Sequence, residues 1–413
     1  MTKPNEPMRM LAPSSFRQAL SRRALFQIGG AAAGLAVIAA ACGDDSSSPA
    51  TTGGSGGTGG GGSDLLSQYS NVVNKGSGAL AMFTWGDYND PELIGALAES
   101  TLGVTMKVDY YPSNEDLITK LSAANGNSGF DIVVPTGPYI PQMVEKGLLQ
   151  KLDASKLPNM ANVDPLYMSK DWDPGNEYSV CKDWGTTGWL YNKTVITKEI
   201  KTWSDFFDAT AGEGSGRTSW LDTAPNVCGP YFWANGINWT TEKTEDLDAA
   251  EEFLVGMAKH VKAFDSYPSS ALAEGAYDLS MAWNGDARQA YFRIADAGGN
   301  PDDWVWGLGS PATELWQDHY CIPTGAPNAD AAHAWINWLL TPEISIKDLQ
   351  YHGYHSGMKQ IDKLIAELAP DLQRADMIFF GDDQVKTMQT GAVNSAQDRL
   401  VSILDKIKAA AAG

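Results

Sequence analysis

Trp283 and Asp286 stand three residues apart in the stretch 278–286, Asp-Leu-Ser-Met-Ala-Trp-Asn-Gly-Asp. An indole attracts a cation through the negative face of its ring, and a carboxylate pairs with the charge directly. Together they suit an organic cation. The plainer reading makes Trp283 a core residue and Asp286 a helix N-cap. This stretch alone leaves both readings open. Residues 279–283 form a short apolar run bounded by polar residues, which predicts a buried strand. Asn284-Gly285 is a turn pair, and 287–297 has the spacing of a helix. The two residues therefore fall where a strand ends and a helix begins, at the carboxyl edge of a sheet, which is where open α/β folds bind ligands.

Other chemistries lack their residues. Of the five histidines, only His352 and His355 are close in sequence, and they lack the H-E-x-x-H frame of a zinc protease. Gly53-Gly54-Ser55-Gly56-Gly57 matches the serine-hydrolase pattern, but in low-complexity sequence with no strand before it. There is no C-x-x-C pair and no phosphate loop. The sequence thus predicts a binding protein rather than an enzyme, with no catalytic residues, no metal site and no cofactor.

Length and charge narrow the class. The 413 residues are enough for two domains, and 43% hydrophobic residues with 14 Trp supply their cores. The formal net charge is −20. The first 41 residues carry five basic residues and one acid, so without them 25 basic residues face 49 acidic ones, a balance of −24. Such a surface repels nucleic acid and anionic lipid and attracts cations.

Residues 1–41 read as an export leader. Ser21-Arg22-Arg23-Ala24-Leu25-Phe26 resembles a twin-arginine motif. The apolar run 28–41 is shorter than the ~20 residues of a membrane-spanning helix but suits a signal peptide. It ends in Ala39-Ala40-Ala41-Cys42-Gly43, which resembles a lipobox and makes Cys42 the lipidation site of an envelope lipoprotein, held at the membrane by that anchor alone. Residues 42–77 follow as a tether rich in Gly and Ser. Three cysteines remain, Cys181, Cys228 and Cys321, and the oxidising compartment allows one disulfide.

From residue 80 the pattern alternates: strand 80–85, helix 91–100, strand 104–110, a helix to 124 capped by Asn114, strand 131–135 and helix 138–146. This order predicts a mostly parallel sheet covered by helices. Residues 178–191 are extended and glycine-punctuated, a crossover into a second lobe. That lobe takes a helix at 203–208, strands at 217–221 and 261–264, a helix at 247–260, the Trp283 strand and a strand at 303–308. Residues 319–323 cross back, 329–340 is an amphipathic helix, and 342–412 is largely helical.

Phe83-Thr84-Trp85-Gly86-Asp87-Tyr88, Asp131-Ile132-Val133-Val134-Pro135-Thr136, Asp173-Pro174, Trp203-Ser204-Asp205-Phe206, Trp283-Asn284-Gly285-Asp286 and Trp316-Gln317-Asp318 occur in this order. Over roughly residues 79–400 the chain resembles the spermidine/putrescine-binding components of ABC importers. The resemblance implies an α/β, two-lobed periplasmic-binding-protein fold of type II, each lobe a mostly parallel sheet flanked by helices, with the ligand between them. Residues 78–182 and 319–346 would form one lobe, 183–318 and 347–413 the other. It further implies a monomer that captures a polyamine outside the cytoplasm and delivers it to permease subunits. Trp85 and Asp87 match an aromatic–acid pair, Thr136 a hydrogen-bonding Ser, Trp283 and Asp286 the main wall and acid, and Asp318 an acid on the second crossover. Each has a structural alternative: Asp87 and Thr136 as helix caps, Trp85 as core. Trp184 and Trp316 are further candidate walls. Some spermidine-binding relatives carry two acids where this chain reads Asp222-Thr223-Ala224-Pro225-Asn226, so fewer acids point to a shorter, putrescine-like diamine or a differently spaced amine, with spermidine as the other polyamine in view. The alternatives are a same-fold receptor for another amine or ferric ion, a sensor presenting ligand to a signalling partner, and a secreted enzyme. For the anchor, Cys42→Ala is expected to move the protein from the membrane to the soluble fraction; wild-type protein found soluble on fractionation rules the anchor out.

Overall fold

The computed structural model describes residues 65–412; the leader, Cys42 and the tether up to Asp64 lie outside the described residues. The apolar runs of the first lobe become β1 (Gly78–Thr84), β2 (Val104–Tyr110) and β3 (Ile132–Val133), with β1 paired in parallel to both others. Leu80, Met82, Ile132 and Val133 are buried, as expected of a parallel sheet with helices on its faces. β4 (Ser179–Asn192) is a single strand of 14 residues, buried along nearly its whole length. In the second lobe, β5 (Thr218–Trp220) pairs in parallel with β6 (Val261–Phe264) and β7 (Leu279–Trp283). β8 (Trp304–Leu308) runs antiparallel to β4, and β9 (Thr313–Cys321) returns to the first lobe. β10 (His355–Ser356) and β11 (Met388–Gln389) are short additions to β4 and β9. The spatial order is β2-β1-β3-β9-β4-β7-β5-β6.

β4 and β9 hold the halves together. Residues Ser179 to Thr186 of β4 pair antiparallel with β9, and Thr187 to Tyr191 pair with β7. At its far end β9 meets β3 through Cys321 and Val133. Each half has its own apolar cluster. One gathers β1–β3 side chains with Trp335, Ile336 and Trp338 of the helix Ala329–Leu339. The other surrounds Trp189, Trp203, Phe206 and Trp220 and takes Leu400, Ile403 and Ile407 from the helix Gln397–Ala411. At ~25 cal/mol per Å² of apolar surface, indoles of this size dominate each cluster.

Several elements differ from the sequence expectation. The helix expected at 91–100 forms over Ala96–Leu102 only. Residues 91–95 are turns, where a side chain at Gly95 would strike the carbonyl of Pro91. Ser113, not Asn114, caps the helix Asn114–Ala124, its hydroxyl accepting from the Asp116 amide at 3.2 Å. This frees the Asn114 side chain for another use. The return crossover begins at Thr313 rather than His319. The helix Ala224–Ala234 has no counterpart in the sequence reading, because Pro230 and Gly229 in its middle argue against a helix. Cys181, Cys228 and Cys321 are buried and free, so the disulfide allowed by the compartment is not formed among them.

Gly185 marks a close approach on β4. A Cβ there would overlap the Trp316 ring and the Asn284 amide, which accepts from the Thr186 backbone at 2.9 Å. Gly185→Ala is expected to cost about 1–3 kcal/mol by overpacking. It should be read as a lower midpoint in denaturant unfolding with unchanged slope.

Candidate ligand-binding site

The main cavity, about 600 Å³ of space free of atoms, lies between the lobes. Its walls come from the same structural place, the residues just past a parallel strand. Trp85 and Tyr88 follow β1, Asn114 follows β2, and Thr136 and Tyr139 follow β3. From the other lobe, Thr223 and Asn226 follow β5, Tyr267 follows β6, Trp283 ends β7 and Asp286 comes just after it. β9 contributes Glu314, Trp316 and Asp318 from one face, as the two-residue period of a strand requires.

The aromatic walls are braced. Trp85 donates its indole N–H to the Val134 carbonyl at 3.0 Å and meets Trp283 edge-on, with centroids 5.9 Å apart. Tyr354 lies edge-on to Trp316 at 4.8 Å and to Tyr88 at 5.5 Å. Thr136 is held from both ends by Asn114, which accepts from the Thr136 amide and donates to its hydroxyl, each at 3.0 Å.

The acids are the unusual part. Asp286 sits in the first turn of the helix Asn284–Asp296, where it accepts from the Tyr354 hydroxyl. Burial pushes its carboxyl up to about 7. Glu314 accepts from Asn226 and, at 3.1 Å, from the Thr187 hydroxyl; burial likewise raises it to about 7. Asp318 is pushed up to about 8, first by burial and then by the charge of Asp183. Its Oδ1 is buried without a hydrogen-bond partner. Among the described residues, none of the three has a Lys, Arg or His within ion-pair distance.

A charge relay lies behind Asp318. Lys182 is buried, 2.7 Å from Asp183, 3.5 Å from Asp348 and 3.9 Å from the centre of the Tyr88 ring. The Tyr88 hydroxyl contacts both Asp183 and, at 2.8 Å, Asp318 Oδ2. One hydroxyl has one proton to give. The contacts close if Tyr88 donates to Asp183, which lies beside the Lys182 ammonium, and a protonated Asp318 donates to Tyr88.

The structure brings together Trp85, Thr136, Trp283, Asp286 and Asp318 from the sequence expectation and leaves Asp87 out. Asp87 takes a left-handed backbone, φ 50°, and its carboxylate pairs with Arg293 at 2.7 Å. That bond joins the loop after β1 to the helix of the other lobe. Neither expected cap forms: Thr136 makes no side-chain capping bond, and the Asp286 carboxylate goes to Tyr354. Trp316 is a cavity wall, whereas Trp184 packs against His355 at 4.7 Å, away from the cavity. Sequence reasoning gave no role to Glu314, Tyr88, Tyr267, Asn226 and Tyr354. For Glu314 a signal existed: Glu314, Trp316 and Asp318 alternate, which marks one face of a strand once the crossover is begun early enough.

Two lobes joined by paired strands, with a cavity at the carboxyl ends of both parallel sheets, define a solute receptor of the type II periplasmic-binding fold, and solved structures of that class are its structural neighbours. Residues 92–379 match the bacterial extracellular solute-binding proteins, and the chain belongs to that family. It is 30% identical over 298 residues to the spermidine/putrescine-binding periplasmic protein of Escherichia coli, covering 71% of this chain and 82% of the relative. The protein of that name from Salmonella typhimurium is 32% identical over 295 residues, covering 71% and 81%. The crystal structure of the Tp0655 (TpPotD) lipoprotein of Treponema pallidum superimposes with a TM-score of 0.66 at 26% identity, covering 80% of this chain and 99% of that one.

The raised carboxyls set the pH dependence of the empty protein. With ordinary carboxylates near ~4, the folded state binds more protons than the unfolded state up to about pH 8, so their stabilisation is complete below ~4 and lost as pH rises through 7–8. The buried histidines His319, His352 and His355 are shifted down and act oppositely, but only below their unfolded value near ~6.5. Between about pH 6.5 and 8.5 the ligand-free melting temperature is therefore expected to fall, and Asp318→Asn to flatten the slope. Thermal melts across that window check both, and an unchanged slope in the variant contradicts the assignment to Asp318.

Proposed function

We propose that the protein is the extracytoplasmic receptor of an ABC importer, holding a polyamine between its lobes for delivery to the permease. The observation that supports this most is the cavity itself, with its three buried carboxyl groups, no paired cation among the described residues and three indoles in its walls. Enclosing an ammonium costs several kcal/mol unless a carboxylate meets it. Each well-placed ring adds about 0.5–2 kcal/mol. Micromolar affinity needs about 8 kcal/mol net, so two paired ends and an aromatic sandwich suffice. The relatives from Escherichia coli and Salmonella typhimurium, both spermidine/putrescine-binding periplasmic proteins, point the same way.

Ferric ion fits the cavity less well. Iron would call for phenolates or imidazoles. Here the hydroxyls of Tyr88, Tyr139 and Tyr354 donate to carboxylates, that of Tyr267 donates to the Tyr111 carbonyl, and burial raises all four phenols further. The reading includes binding without turnover, a monomeric receptor, export through the twin-arginine-like leader and an anchor at Cys42. It also includes the lobe division at 78–182 with 319–346 and 183–318 with 347–413; the two main apolar clusters follow it except at Trp316 and Tyr354, which pack with the first lobe.

Isothermal titration with putrescine, cadaverine, spermidine and spermine tests the proposal, with Fe(III) and amino acids as controls. At least one polyamine is expected to bind at micromolar or tighter affinity. Asp286→Asn and Trp283→Ala should each weaken it by about tenfold or more. Because an arriving ammonium displaces a proton, binding should tighten from pH 6 to 8, and its heat should vary with buffer ionisation enthalpy. Heat with Fe(III) or a neutral solute alone would sink the polyamine reading.

A further inference from the structure

The acid that the segment after β5 appeared to lack is supplied from elsewhere. Asp222, the one carboxylate there, does not line the cavity; it pairs with Lys408 at 2.8 Å on the outside. Thr223 and Asn226 occupy the wall instead, and the Asn226 amide donates to a carboxylate that comes from β9, Glu314. Both hydrogen bonds described for Glu314, from Asn226 and from Thr187, fall on the same oxygen, Oε2. Its side chain is buried and no cation neutralises it among the described residues.

On β9 the order is acid, indole, acid: Glu314, Trp316 and Asp318 at alternate positions on one face, all lining the same cavity. At ~3.3 Å per residue the outer two Cα atoms lie about 13 Å apart. With an ammonium about 2.8 Å from each carboxylate, the charges of a ligand spanning them are on the order of 8–13 Å apart. A butane diamine separates its nitrogens by only about 6 Å, and one further aminopropyl unit extends that to about 11 Å. The space also continues past Glu314. A second chamber of about 540 Å³, walled by Tyr139, Trp239 and Val393, shares Glu314 and Trp316 with the first.

We infer that Glu314 is the anchor for the far ammonium of a linear polyamine longer than a butane diamine, with the methylenes lying on Trp316 and the near end held by Asp318 and Asp286. Glu314 thereby sets ligand length. This deepens the functional reading given above and rests on it. Burial of the empty carboxyl, which lifts it to about 7, agrees with a group that exchanges a proton for a cation.

The test is titration of wild type, Glu314→Gln, Glu314→Asp and Asp222→Asn at pH 8 with putrescine and with spermidine. Glu314→Gln keeps an acceptor for Asn226 and Thr187, so its melting temperature should match or exceed wild type. Wild type is expected to prefer spermidine. Glu314→Gln should weaken spermidine by about tenfold or more while changing putrescine by no more than about threefold. Glu314→Asp, which keeps the charge, should fall between wild type and Glu314→Gln for spermidine, and Asp222→Asn should leave both ligands unchanged. A wild-type preference for putrescine, unchanged spermidine binding in Glu314→Gln, or equal losses for both ligands would overturn the inference and leave the polyamine reading standing. Wild type that binds neither of these, nor cadaverine nor spermine, refutes the polyamine reading and this inference with it.

Discussion

Carboxyl groups kept away from water without a cation are the constraint to which the rest of this molecule answers. An isolated buried carboxylate is so costly that the group takes up a proton instead. Asp286, Glu314 and Asp318 all sit in that position; neutral donors orient the first two without neutralising them, and Asp318 meets the Tyr88 hydroxyl. The nearby cations are spent elsewhere, Lys182 on Asp183 and Asp348 and Arg293 on Asp87. The chain therefore keeps its own positive charge one layer behind the cavity wall. A protein built only for stability has no reason for such an arrangement, since apolar side chains of the same size fold more easily.

The framework follows from that requirement. Carboxylates from distant parts of the chain must converge, and the carboxyl ends of parallel strands are where loops from many strands meet. Two sheets facing each other double the number of loops available. β4 and β9 make the facing possible because each is long enough to belong to both halves. They also do more than connect: β9 lays three of its own side chains along the cavity. The Asp87–Arg293 pair and the bond from Tyr267 to the Tyr111 carbonyl then tie the loops of the two lobes across the mouth. Differential contacts of this kind give a ligand something to shift between two arrangements of the lobes.

What the sequence showed depended on whether a signal was local. The alternation of strands and helices and the Trp283 strand are written in short stretches, and the structure has them, whereas the Asn284-Gly285 pair expected as a turn is the start of the helix that carries Asp286. Boundaries governed by one turn went differently. Gly95 and Pro91 delay a helix, and Ser113 outcompetes Asn114 as a cap because its short side chain folds back on the Asp116 amide. Asp87 had the right residue type at the right strand end, but its partner, Arg293, is 206 residues away and no spacing rule connects them. Tyr354 reaches Asp286 from a segment that reads as mere closing helix. Such pairings exist only once the lobes are assembled.

Glu314 shows how a local rule and a distant one interact. Read as part of a loop before a crossover at His319, it is one more acid in an acidic protein. Read as the first inward residue of β9, it lies in register with Trp316 and Asp318, and its function becomes a matter of distance. The Asn226 amide across the cavity gives the reason for its position: an amide donates to a carboxylate but cannot replace its charge, so loss of acidity after β5 is compatible with a dication only if negative charge enters from another wall. β9 is the wall that can supply it, because a strand presents side chains at fixed intervals of about 6.6 Å along one face. The spacing of charge in the cavity is thus set by backbone geometry, and a strand is a stiffer ruler than a loop.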